Sequence, residues 1–166
     1  GHVGGYSLNY HKHIHTGEGG IIVTNDDDIA ERLRLIRNHA EAVVPDIEKA
    51  ELRNMIGYNF RLGEIESAIG IEQLKKLNYL VAGRQKAAER LSEGLRELVG
   101  LRIPVVNPNC THSYYVYPMV LVTELLGVQR ESIVTALALE GVEGLAAGYA
   151  NIHMLPMYQK KIAYGS

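Results

Sequence analysis

The stretch SLNYHKHIHTGEGG, residues 7–20, decides the fold of this 166-residue sequence. Tyr, Val and Leu mixed with small residues predict a buried strand over 3–10, and a β-branched run at 21–24 predicts a second strand, of the kind buried on both faces. Residues 11–20 form a predicted loop that ends in a glycine-rich turn. Lys12 therefore follows a buried strand directly, within an α/β layer.

The surroundings of Lys12 favour a nucleophilic amine. A lysine that is desolvated at the end of a core strand gives up its proton more readily, as a Schiff-base lysine must. Ser7 places a hydroxyl five residues before Lys12, and the turn at 17–20 begins five residues after it, where glycines let backbone approach a flat cofactor. The sequence alone leaves open the simpler interpretation, in which Lys12 is a solvated surface residue.

A helix is predicted after the second strand. Residues 25–28 offer N-cap side chains and place acidic groups in the first turn. Ile29, Leu33 and Ile36 then recur on one face, which indicates an amphipathic helix. Residues 38–60 show little periodicity and are predicted to be irregular.

A long helical pattern begins at Leu62 and returns to one side of the helix as far as Leu98. It predicts either one helix kinked near Asn78 or Gly83, or two helices in series. The pattern before it is α/β, and a smaller α+β unit follows, so we expect a domain boundary inside the helical stretch.

We place that boundary between residues 80 and 81, so that the domains are 1–80 and 81–166. The second domain is predicted to contain a strand over 114–122 and an amphipathic helix over 129–139. Three tyrosines of the predicted strand are expected to serve core and interface rather than substrate: Tyr114, Tyr115 and Tyr117.

Composition excludes several classes of protein. A formal net charge of −2 gives no electrostatic footprint for a polyanion, which argues against a nucleic-acid binder. The single cysteine, Cys110, cannot form an intramolecular disulfide and fits a reducing compartment such as the cytoplasm. No apolar run is long enough to span a bilayer, so no membrane partner is expected. Ten Tyr against one Phe and no Trp indicate a wet cleft or an interface.

Three motifs together resemble the DegT/StrS-type sugar aminotransferases, pyridoxal-phosphate enzymes of the aspartate-aminotransferase superfamily (fold type I). The first motif combines Ser7, Lys12 and GEGG at 17–20. The second is GYNFRL at 57–62, and the third is NIHMLPMY at 151–158, with Asn at its first position where the family has Pro. Because the motifs occur in the family order over nearly the whole chain, the resemblance is far more specific than one short motif.

The resemblance implies roles for the residues around Lys12. Lys12 is implied to form the Schiff base with pyridoxal 5'-phosphate and then to shuttle a proton between substrate and cofactor. Ser7 matches the family hydroxyl that hydrogen-bonds the cofactor phosphate, although a strand serine bonded to backbone is the simpler interpretation. Glu18 is expected to order the loop rather than to act as a catalytic acid.

The resemblance also implies a homodimer with a shared active site. Asn59 matches the family asparagine that reaches the cofactor phosphate of the neighbouring subunit, and a turn-forming asparagine is the alternative. Arg61 is a candidate for binding a substrate carboxylate or phosphate, although a salt bridge at the helix start explains it equally well. His13 is a candidate substrate contact. His11, His13 and His15 alternate, but no Cys or acidic cluster accompanies them, so no metal site is expected.

The reaction implied by the resemblance is transamination of a keto sugar linked to a nucleotide, with glutamate as the amino donor. Neither the sugar, the nucleotide nor the aminated carbon follows from the sequence. Two alternatives remain: a non-catalytic truncated or regulatory relative, and a sugar dehydratase, in which the family replaces the lysine with His. Lys12 at the expected position favours transamination.

The resemblance implies that the family's chains extend beyond this sequence. In them, a glycine/threonine phosphate turn, an aromatic that stacks on the cofactor ring and an Asp that pairs with its nitrogen precede the position of Gly1. We therefore expect an internal part of a longer chain: the end of the large α/β domain, a long connecting helix and part of a smaller C-terminal domain. These residues alone are expected to bind the cofactor weakly.

Overall fold

The computed structural model describes residues 1–41, 55–148 and 150–161. Strands β1 (Val3–Ser7) and β2 (Gly20–Thr24) form an antiparallel hairpin in which Val3 pairs with Thr24 and Ser7 pairs with Gly20. The second predicted strand is confirmed; the first, predicted over 3–10, is confirmed over 3–7, and residues 8–10 belong to the loop at the tip of the hairpin.

The predicted burial of these strands is wrong. Tyr6 is 62% exposed and Ile22 is 56% exposed. Within the described residues the hairpin is a two-stranded sheet, so most of its surface lacks a second layer to cover it. A β-branched run indicates a strand more reliably than it indicates which faces of that strand are covered.

Helix α1 (Asp27–Ile36) begins where the acidic cluster predicts. Asp26 is its N-cap: the carboxylate accepts a hydrogen bond from the backbone N–H of Ile29 at 3.0 Å. The helix packs through a stripe in which Leu35 is the most deeply buried residue, at 6% exposure, while the predicted apolar residues are half-buried. The predicted irregular segment then falls largely on residues 42–54, which lie outside the described residues.

The long helical pattern forms two helices in series, α2 (Glu64–Leu74) and α3 (Leu77–Leu95), which confirms the second of the two predicted forms. The break lies at residues 75–76, slightly before the predicted kink positions. Lys75 forms an ion pair with Glu72 at this break, and its ammonium holds the pKa of the Glu72 carboxyl below its ordinary value.

The chain divides into two compact units, and the division falls inside α3. The first unit contains residues 1–88 together with 111–116; the second contains 89–110 and 117–166. The predicted domains, 1–80 and 81–166, stay a prediction. Segment 111–116 is the important feature of the first unit. It lies near Lys12, although the two are about a hundred positions apart in the sequence.

The second unit is built from short elements. Strands β3 (Leu101–Arg102) and β4 (Val120–Leu121) pair antiparallel. They are followed by α4 (Thr123–Leu126), α5 (Arg130–Leu139), a 3-10 turn at Ile152–Met154 and α6 (Pro156–Gln159). The helix predicted over 129–139 is thus confirmed, with Gln129 as its N-cap.

The strand predicted over 114–122 is wrong: only Val120–Leu121 is extended and paired. Tyr114 has a φ of +50°, in the left-handed region, which interrupts a strand. The backbone carbonyls of His112 and Tyr114 accept hydrogen bonds from side chains of α3 instead of from a neighbouring strand. Among the described residues, no helix combines the length and the apolar character that crossing a membrane requires.

We predict that Asp26→Ala lowers the free energy of unfolding by about 1 kcal/mol, because the N-cap bond to Ile29 is lost. Asp26→Asn keeps the acceptor oxygen and is expected to remain close to wild type. Denaturant unfolding of the two variants checks this prediction. Equal losses in both would show that the charge, rather than the cap bond, stabilises the start of α1.

Candidate active site

Lys12 lies in a loop whose base is closed by backbone hydrogen bonds. The N–H of Leu8 donates to the carbonyl of Gly19 at 2.9 Å, and the N–H of Thr16 donates to the carbonyl of Leu8 at 3.0 Å. Leu8 and Thr16 are each only 5% exposed. The buried pair fixes the foot of the loop, so the segment that carries Lys12 leaves the hairpin from a fixed position.

Side chains close the same loop on its outer side. Asn9 donates from Nδ2 to Glu18 Oε1 at 2.6 Å, and Thr16 Oγ1 donates to the Glu18 carbonyl at 2.8 Å. The prediction that Glu18 orders the loop is therefore confirmed. Asn9 was not identified from the sequence, since nothing in its spacing shows that it faces a residue nine positions later.

Lys12 Nζ lies over an aromatic ring. It is 4.1 Å from the ring centroid of Tyr115, a distance typical of a cation–π contact. The rings of His11 and His13 also approach Tyr115, with centroid separations of 6.2 and 6.1 Å. The structure thus brings together three residues of the loop and a tyrosine that was predicted to serve core and interface.

His13 is tied to the segment that carries Tyr115. Its Nε2 lies 2.8 Å from the carbonyl oxygen of Ser113, a hydrogen bond in which the imidazole N–H donates. His13 is half-buried beside Lys12. This position suits a residue that orders the loop, and it places His13 against the same tyrosine ring as the Lys12 amine.

Segment 111–116 is held through its own main-chain carbonyls, which accept hydrogen bonds from side chains of α3 and from His13. Gln85 Nε2 donates to the carbonyl of His112 at 3.1 Å, and Arg84 Nη1 donates to that of Tyr114 at 3.2 Å. Inside the segment, the N–H of Tyr114 donates to His112 Nδ1 at 2.8 Å. Together with His13, these contacts hold three successive carbonyls and so fix where Tyr115 lies.

Ser7 stands at the end of β1, at the foot of the Lys12 loop. Its exposed side chain accepts a hydrogen bond from the N–H of Asn9 at 3.2 Å. The hydroxyl proton is not used in that bond, since Ser7 acts there as the acceptor. The simpler interpretation, a buried strand serine bonded to backbone, fits this backbone bond but not the exposure of the side chain.

Asn59 and Arg61 lie on a different part of the first unit, at the C-terminal end of α1. Asn59 forms an isolated antiparallel bridge with Asn38, and Arg61 Nη1 donates to Asn38 Oδ1 at 2.8 Å. Arg61 is thus bonded to an amide side chain rather than to the carboxylate of a salt bridge at the helix start. Gly57 lets the two stretches of backbone lie close together here, because a Cβ at this position would collide with the backbone nitrogen of Ala40.

No three His, Cys, Asp or Glu side chains gather closely enough to hold a metal ion in the part of the chain that the structure describes. In the second unit, the segment that resembles the third family motif lines a shallow depression. Its lining residues are Ala150, Asn151, Ile152, His153 and Tyr158.

Comparison with known proteins settles the family. The model of the DegT/DnrJ/EryC1/StrS aminotransferase family matches residues 1–166, the whole chain. The chain belongs to this family. It is 32% identical to the UDP-4-amino-4,6-dideoxy-N-acetyl-beta-L-altrosamine transaminase of Helicobacter pylori, over 96% of this chain and 42% of that protein.

Solved structures agree with this family assignment. The Helicobacter pylori aminotransferase PseC, involved in the biosynthesis of pseudoaminic acid, has a TM-score of 0.78 at 29% identity and covers 95% of this chain and 42% of its own. The E. coli GDP-4-keto-6-deoxy-D-mannose-3-dehydratase with bound hydrated PLP has a TM-score of 0.71 at 31% identity, over 85% and 39%. The predicted α/β class, as part of the PLP aminotransferase fold, is confirmed.

The chain spans about two fifths of the length of the curated relatives that it matches. Within that span it contains the Lys12 loop, the 57–62 motif and the 151–158 motif that indicated the family. The roles predicted for individual residues in these motifs are not tested by the comparisons and stay predictions.

We predict that Gly19→Ala destabilises the Lys12 loop by about 1–3 kcal/mol, as overpacking of a tight contact does. A Cβ at this position would lie 2.7 Å from the buried Thr16 Oγ1 and 3.0 Å from Leu62 Cδ1. Gly17→Ala is the matched control: it also has a positive φ, of +88°, but its Cβ would meet nothing within 4 Å. Thermal unfolding should show the larger loss for Gly19→Ala, and equal losses would contradict the packing argument.

Proposed function

We propose that this chain forms part of a pyridoxal-phosphate-dependent aminotransferase that transfers an amino group from glutamate to the keto group of a nucleotide-linked sugar. The observation that carries the proposal is the position of Lys12 at the tip of a closed loop. The family model that matches the whole chain supports it. Relatives whose names specify UDP- or GDP-linked sugars support the substrate class.

The residues of the hairpin fit pyridoxal phosphate. The cofactor has an aldehyde, a phosphate and a flat ring, and the hairpin offers an amine at the loop tip and an exposed hydroxyl donor at the loop foot. Lys12 would hold the aldehyde carbon covalently, and Ser7 would donate to the phosphate. When bound, the cofactor supplies an electron sink for the carbon that gains or loses the amino group.

Lys12 has a second task in this proposal. Its free amine would carry a proton to or from the reacting carbon as general acid and base. The task requires an amine that returns to one place in each cycle. The bonds of Leu8 and Thr16 support this, because they fix the loop from which the side chain extends.

His13 and Arg61 are proposed to contact substrate in different ways. His13 contacts the same Tyr115 ring as Lys12, and we propose that it borders the same reacting group. Arg61 and Asn59 lie together at the end of α1, and we propose that both serve the active site of a second subunit. Asn59 would reach the cofactor phosphate there, and the enzyme would be a homodimer.

The dehydratase alternative is favoured by one finding, since dehydratases of nucleotide-linked sugars are among the similar structures. Lys12 supports transamination instead, because it supplies the amine that the proposed proton transfer requires. We also place the enzyme in the cytoplasm, which the exposed thiol of Cys110 supports.

We predict that borohydride reduction of the whole protein with pyridoxal phosphate leaves a pyridoxyl group on Lys12, which peptide mapping detects. Lys12→Ala should abolish this label and lower turnover about 10²–10⁴-fold, because the general acid/base is removed. Lys86→Ala, which changes an exposed lysine of α3, is the matched control and should keep both properties.

Product analysis of the same preparations separates the alternatives. Transamination consumes one glutamate for each amino sugar formed, whereas a dehydratase releases water and leaves the sugar without a new amine. An unlabelled Lys12 with no turnover would support the non-catalytic relative.

We predict that mixed subunits test the shared site. Lys12→Ala and Asn59→Ala homodimers should each be strongly impaired, since every site lacks one residue. Random mixing places both defects in one site of each heterodimer and leaves its other site intact, so about a quarter of wild-type activity should return. No recovery after verified subunit exchange would show that Asn59 acts in its own subunit.

A further inference from the structure

The contact between Lys12 and Tyr115 is not explained by any of the roles assigned above. The Lys12 ammonium lies 4.1 Å from the ring centroid, and the rings of His11 and His13 flank the same tyrosine. In the described part of the chain, no carboxylate forms an ion pair with Lys12, so the partner that holds its charge is an aromatic face.

The backbone that leads to the ring is held by contacts that do not involve the Tyr115 side chain. Gln85, His13 and Arg84 bind the carbonyls of the three residues that precede it. Tyr114 adopts a φ of +50°, a backbone conformation that non-glycine residues rarely take without support from their surroundings. Tyr115 is therefore directed to Lys12 by a braced segment.

We propose that Tyr115 is a positioning residue for Lys12: its ring face holds the side-chain amine whenever that amine is not covalently bonded. The significance of this role rests on the proposed function, in which Lys12 alternates between a bonded and a free state. An aromatic face suits this alternation because it attracts an ammonium more weakly than a desolvated carboxylate does. The amine is thus kept in place but can still leave.

The position of the free amine matters for proton transfer. A displacement of about 1 Å between reacting groups can slow a reaction about 10²-fold. Lysine has a long side chain with many rotamers, and backbone hydrogen bonds that fix the loop do not select one of them. The Tyr115 ring supplies that selection from the opposite side.

Chemical labelling of the cofactor-free whole protein tests the proposal without using turnover. The rate of reductive methylation at Lys12 is measured by peptide mass spectrometry, with the exposed lysines Lys76 and Lys86 as internal references. Tyr115→Leu should raise the Lys12 rate about two- to fivefold, the change that corresponds to losing a cation–π contact near the surface. Tyr115→Phe keeps the ring face and should match wild type.

Two outcomes of this experiment would overturn the proposal. One is an unchanged Lys12 rate in Tyr115→Leu; the other is a Tyr115→Phe rate that rises as much as that of Tyr115→Leu, which would assign the effect to the hydroxyl. A general rise that includes both reference lysines would indicate that Tyr115→Leu has unfolded. The proposal is then tested on the wild-type protein and Tyr115→Phe alone.

Carbon-13 NMR of the same methylated proteins supplies that test. A methylated Lys12 held over the ring should give a signal displaced upfield by the ring current in wild type and in Tyr115→Phe. A Lys12 signal at the position of the other lysines in wild type would overturn the proposal. A negative result from borohydride mapping would count against the proposed function but not against this role of Tyr115, because an amine that never bonds the cofactor can still lie on the ring.

Discussion

The closure of the loop between β1 and β2 is the constraint on which the site depends. Two backbone hydrogen bonds from Leu8 and Thr16 cross the neck of the loop, and both residues are almost fully buried, whereas most large apolar side chains among the described residues are exposed. A buried, paired amide is expensive to separate because water does not replace its partner. The neck therefore stays closed, and the loop with Lys12 leaves the hairpin from a fixed position.

The second support of the site comes from far along the chain. Residues 111–116 lie in the first unit, while the residues on either side of them in the sequence belong to the second. Gln85 and Arg84 on α3 and His13 on the loop all bind this segment. A helix and a loop thus both bind this short segment, and the segment places Tyr115 against the amine.

Local pattern predicted the parts of this structure that local forces determine. The two strands, the Asp26 cap, the break in the long helix and Lys12 at a loop tip all follow from residues that are neighbours in sequence.

The strand expected over 114–122 was wrong because Tyr114 and its neighbours satisfy their carbonyls with α3 side chains, and alternating tyrosines do not reveal such partners. The place of Tyr115 beside Lys12 could not be predicted for the same reason: it depends on contacts across about a hundred residues. The burial of the hairpin was overestimated because composition describes a strand and not what covers it.

The way in which segment 111–116 is held has an evolutionary consequence. Its three supporting bonds all end on main-chain carbonyls, which every amino acid possesses. The course of the segment is therefore insensitive to the identity of the side chain that it delivers at position 115. Mutation can replace the group facing the lysine while the scaffold stays in register, so the chemical environment of the amine can diversify among relatives without rebuilding the fold.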